Sequence, residues 1–201
     1  MGRTRWMTGI VLGWCVMMTS PLFAKPPKPD PRVRITVVVC DLAGVAVQVR
    51  LEARNEVIRI LARAGVDIDW IDAKHVPDPI WTRRCVPQSL QSYFSIIIAP
   101  RKSDFSTEGP DTLGTAPVKT GPYRLAYVFW DRVENFAKFC KESGGPSSIG
   151  MILADAIAHE LGHLISGPSH SLLGIMLSAW GYRQCEDSVA GRMIFDRPLA
   201  K

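Results

Sequence analysis

The chain is short of several things, and each shortage narrows what it can do. None of its five cysteines forms a CxxC pair, so an all-cysteine metal site has no anchor. Lys and Arg cluster no further than short pairs such as Arg83-Arg84 and Arg101-Lys102, the pattern of solvated loop charges. Nucleic-acid binding therefore finds no electrostatic footprint. No internal repeat is visible, and the N-terminal apolar run, Met7 to Met18, is too short to span a bilayer comfortably. Histidine is scarce as well, at four in 201 residues, yet three of the four fall between His159 and His170.

The first 24 residues read as a secretory signal peptide. Arg3 and Arg5 supply the basic flank, Met7 to Met18 the apolar segment and Leu22-Phe23-Ala24 the cleavage site; an uncleaved membrane anchor is the alternative. Trp14 directly before Cys15 speaks against a lipoprotein. Residues 25–32 form a proline-rich leader, and residues 33–201 are expected to fold as one domain, long enough to bury a core. Without Arg3 and Arg5 the remaining chain has 22 basic and 19 acidic residues, a net charge of +3. Removing Cys15 leaves Cys40, Cys85, Cys140 and Cys185, an even set in a chain sent to an oxidising compartment, secreted or periplasmic. Two disulfides are expected, in any of three connectivities; buried free thiols are the other reading. No stable membrane association is expected after cleavage, and the oligomeric state is not legible.

Periodicity outlines the fold. Val33 to Cys40 is a β-branched run and reads as a strand. From Val45 to Ala64 apolar residues recur at helical spacing, and Gly65 closes the helix. Strands follow at Val66–Ile71, Tyr93–Ala99 and Tyr123–Trp130, with residues 100–122 reading as a long surface loop. A short helix is expected over Asp131–Lys141. A long one spans Ser148–Ser166, with Ser147 a candidate N-cap and Ile149, Leu153, Ile157, Leu161 and Leu164 as its packing stripe. This order suits an α+β domain: a mixed sheet with two long helices packed on one side.

The chemistry lies in the last helix. His159 and His163 are one turn apart, so both imidazoles reach one metal ion, and Glu160 on a neighbouring face can touch a water on that metal without being a ligand. Gly167 and Pro168 stop the helix, which lets His170 turn back as a third ligand. Three protein ligands and an open position are the catalytic arrangement for one zinc ion, Zn2+. Glu160 is then the general base for peptide-bond hydrolysis.

In these residues the chain resembles the metzincin clan of zinc endopeptidases, whose pattern is HExxHxxGxxH followed by a methionine turn. Gly174-Ile175-Met176 looks like that turn, with Met176 an apolar floor beneath the metal. Small secreted bacterial matrixin-like proteins are the nearest comparison. The likeness covers 159–176 and implies a zincin-like fold, a protein or peptide substrate, and binding of that substrate as an added strand along a sheet edge. Tyr123–Trp130 or Tyr93–Ala99 is expected to supply the edge.

One departure matters. The usual pattern has Gly three residues and His six residues after the second His; here Ser166 holds the first place, Gly167 comes one later, and His170 is seventh. Gly and His shift together, as a one-residue insertion at the turn requires. The rival third ligand is a downstream carboxylate of the gluzincin kind, with Glu186 the candidate. A non-catalytic extracytoplasmic zinc-binding module is the alternative outside the enzyme class. Asp155, one turn before His159, either orients that imidazole or pairs locally. His75 reads as a surface histidine, Tyr182 as rim or core packing rather than a transition-state contact, and Trp180 as a packing anchor beneath the turn.

Overall fold

A run such as Ile-Thr-Val-Val-Val-Cys buries side chains on both faces of a strand, and that demands a position inside a sheet. A computed structural model of the chain, which describes residues 32–73, 93–101, 112–117 and 124–199, places it there. Strand β1 (Val33–Asp41) pairs in parallel with β2 (Val66–Asp72) on one side and β3 (Tyr93–Ala99) on the other. Strand β4 (Gly114–Thr115) and strand β5 (Arg124–Phe129) complete a five-stranded sheet of order β2-β1-β3-β5-β4. The first four strands in that order are parallel, and β4 alone is antiparallel, to β5. The described residues thus form an α+β fold on a mixed sheet.

Alternation sorts the strands' side chains into two layers. Val37, Val39, Ile96, Ile98, Ala126 and Val128 face the main core, while Val38, Cys40 and Ile97 form a smaller cluster on the opposite face. The main core is completed by helix α1 (Val47–Arg63), through Val57, Ile60 and Leu61, and by helix α3 (Ile149–Ser166), through Leu153, Ile157 and Leu161. Both long helices therefore cover one face, as the order of the elements implied. They approach closely where Gly150 leaves no room for a Cβ beside Glu52 of α1. Ser148, not Ser147, is the N-cap of α3, accepting from Met151 N at 3.3 Å and donating to Glu52 at 2.6 Å. Ser147 turns instead to the Ala137 carbonyl.

Helix α2 (Trp130–Glu142) begins directly where β5 ends, so Trp130 belongs to the helix rather than the strand. Helix α4 (Tyr182–Val189), only eight residues long and largely polar, was not among the expected elements. It is held by a disulfide from its Cys185 to Cys140 of α2 and by Gln184, which accepts from Gly181 N. Of the three connectivities, this bond settles one pair. Cys40 is also disulfide-bonded. Cys85, His75 and the expected signal and leader segments through residue 31 lie outside the described residues.

The edge strand is a correction. β3 lies between β1 and β5, and β5 between β3 and β4, so neither Tyr93–Ala99 nor Tyr123–Trp130 forms the edge. Among the described residues the edge beside β5 is Gly114-Thr115, inside the stretch read as loop. Two residues pairing with Val128 and Tyr127 are too few to show a period.

Candidate metal centre

The α-helical repeat places His159 above His163, and their Nε2 atoms lie 3.0 Å apart. Each ring's other nitrogen is engaged. His159 Nδ1 donates to the Ile175 carbonyl at 2.7 Å, and His163 Nδ1 to the Gly167 carbonyl at 3.1 Å. A carbonyl oxygen only accepts, so in the neutral rings both protons sit on Nδ1 and both Nε2 atoms present lone pairs. Two lone pairs facing one another at this distance repel unless a cation lies between them. An ion bound tetrahedrally at about 2.0–2.1 Å would hold two imidazole nitrogens about 3.3 Å apart, close to the spacing already present.

His170 completes the group. Gly167 ends α3 at a φ of 97°, a conformation favouring glycine, and the chain turns back. The His170 ring centroid comes to 5.4 Å from that of His159 and 4.8 Å from that of His163. The donor atoms of the three histidines all lie within 4.8 Å of one another, close enough to bind one metal ion. The one-residue shift in spacing is absorbed at this turn. Glu186, the rival ligand, is exposed on α4 and stands apart from the trio.

Burial prepares His159 for a cation. It lowers the His159 pKa to about 4, with His163 and His170 adding to the effect against the opposing hydrogen bond to Ile175. His159 is therefore neutral at physiological pH, as a metal ligand must be. The supporting carbonyl comes from the turn at Gly174-Ile175-Met176, itself tied by Ile175 N to Ile194 O at 2.9 Å. Met176 is buried against Gly162, whose Cβ, if present, would lie 2.5 Å from the Met176 sulfur and 2.7 Å from Phe195. Gly162 is thus required between the two helical histidines because the methionine floor occupies its space.

Glu160 is only 4% exposed yet lines the same cavity, of about 710 Å3, as the three histidines. A Cβ on Gly114 would fall 2.6 Å from Glu160 Oε1, so β4 runs against this carboxylate with no side chain between them. The opposite walls are α2 and the segment Leu177–Trp180. Trp180 stands in the wall, with edge contacts at 6.0 Å to both His159 and Phe136 and a bond from its Nε1 to the Leu177 carbonyl. Tyr182 does not line the cavity; its ring packs beside Gly145 and is 42% exposed.

Asp155 does not reach His159, whose Nδ1 is taken by Ile175. It is fully buried toward α1 and α4, where Glu56, Arg59 and the Ser188 hydroxyl surround it, and neither of its oxygens makes a good hydrogen bond. Burial pushes its pKa well above the usual carboxylate range. No model of a known protein family matches the chain, and no curated protein does either.

Proposed function

We propose that the chain is a zinc-dependent endopeptidase of metzincin type, with a zincin-like fold, acting outside the cytoplasm on protein or peptide substrates. The observation carrying this reading is the pair of His159 and His163 Nε2 lone pairs at 3.0 Å, beside the buried Glu160 carboxylate. Three neutral imidazoles with no thiolate among them suit zinc and leave a coordination position open. When bound, zinc supplies Lewis acidity, bringing the pKa of a water near 7 and polarising a carbonyl oxygen.

The chain's own groups do the rest. Glu160 accepts the proton of the attacking water on its carboxylate and passes it to the leaving amine nitrogen. Its confinement beside Gly114 keeps that carboxylate at the cavity wall. Backbone N–H and C=O groups on the outer side of β4 hold the substrate extended, as one more strand on the sheet. The Cys140–Cys185 disulfide supports export to an oxidising compartment.

Metal removal tests the reading. Dialysis against a strong chelator is expected to abolish hydrolysis of casein, and one equivalent of zinc to restore it. Hydrolysis that persists after complete metal removal would contradict the proposal.

A further inference from the structure

Helix α2 meets the cavity along one stripe, Arg132, Asn135, Phe136 and Phe139, spaced i, i+3, i+4, i+7. Its other face, with Val133, Ala137 and Cys140, is buried in the core. The cavity stripe is graded. At its C-terminal end Phe139, Phe136 and Trp180 form a chain of ring contacts at 5.9 and 6.0 Å that leads to His159. At its N-terminal end stands a cation.

Several features set this cation apart. Arg132 Nε is buried with no hydrogen-bond partner. Its ion-pair neighbour is the adjacent residue Asp131, at 3.9 Å, a distance and exposure that neutralise little. Among the described lining residues Arg132 is the one Arg or Lys, and Glu160 the one carboxylate. An arginine in the first turn of a helix is also opposed by the helix dipole, so its place there does not serve the helix. A guanidinium presents a planar fork of donors that matches a carboxylate.

We propose that Arg132 recognises a carboxylate of the bound peptide, from either an acidic side chain or the chain's C-terminus. The spacing agrees with an extended ligand. One helical turn, about 5.4 Å, separates Arg132 from Phe136, and side chains two apart on a strand lie about 6.6–6.8 Å apart on one side. A peptide with an apolar side chain near Phe136 thus carries its anionic group about two residues away. This rests on the peptidase reading for the ligand being a peptide, and it makes Arg132 a specificity residue rather than a catalytic one.

The test measures binding, not turnover, in zinc-loaded Glu160→Gln protein. Fluorescein-labelled hexapeptides with a central Phe are titrated by anisotropy in two arms. One compares Glu with Gln two residues from the Phe under an amidated C-terminus; the other compares a free with an amidated C-terminus in peptides lacking Glu. The anionic member is expected to bind about tenfold tighter in the arm that matches the natural source. Arg132→Gln should erase that preference without shifting the melting temperature, and Arg132→Lys should restore part of it. Equal binding in both arms, no binding of any peptide, or a preference that survives Arg132→Gln overturns the proposal. Failure of the peptidase reading shows separately, as wild-type protein that holds zinc and cleaves nothing.

Discussion

On one side of α3, His159, Glu160 and His163 look into an open cavity; on another, Asp155 is sealed against Glu56 and Arg59 of α1 and Ser188 of α4. Both groupings put polar atoms where solvent is scarce, at a cost. They differ in what the polar atoms face. The histidine lone pairs converge on a point that a cation can enter, with their rings aimed by Ile175 and Gly167. The Asp155 carboxyl faces packed protein, where Arg59 is already bonded to Glu56 and to the Gly191 carbonyl. Buried polarity marks a reactive centre only where a ligand can reach it.

Breaking the tie between α2 and α4 has the largest expected effect. Replacing Cys140 and Cys185 together by Ala releases a loop closed over a sequence separation of 45, about 4 kcal/mol in the chain-entropy account. Thermal unfolding should show a large drop, while zinc stoichiometry at low temperature stays near one because no metal donor is removed. Next comes His163→Ala, expected to weaken zinc binding about 100-fold or more, read by competition with a chromophoric chelator. A Cβ at Gly162 must displace Met176 and Phe195, so Gly162→Ala should cost about 1–3 kcal/mol on denaturant unfolding.

The smallest effect has the opposite sign. Asp155 binds its proton more tightly folded than unfolded, so its contribution to stability is most favourable below the unfolded pKa. That contribution declines as pH rises toward the elevated folded value. Asp155→Asn should therefore raise the melting temperature at neutral pH, lose that advantage near pH 3, and leave hydrolysis unchanged. A loss of hydrolysis in Asp155→Asn with zinc still bound would erase the contrast between the two groupings.

The legibility of these regions follows from the range of the interactions that build them. His159, Glu160 and His163 were readable because their relation is set within one helical turn, and the Met176 turn because it follows closely in the chain. The two long helices were legible from period, and their common face from the order of the elements. Position β4 was not, since Gly114-Thr115 becomes a strand only by pairing with β5. The direction of Asp155 was left open because its neighbours, Glu56 and Ser188, are supplied by distant segments. The Cys140–Cys185 pairing depends on the docking of α4 against α2, a contact between segments 45 residues apart.

The central claim is that the histidine trio and Glu160 divide metal binding and proton transfer between them. The direct measurement is hydrolysis of casein by wild type and Glu160→Gln at equal zinc content. One zinc per chain in both proteins, with activity falling about 10²–10⁴-fold in the variant, is the predicted result. Equal hydrolysis by the two proteins, or none by zinc-loaded wild type, would contradict it.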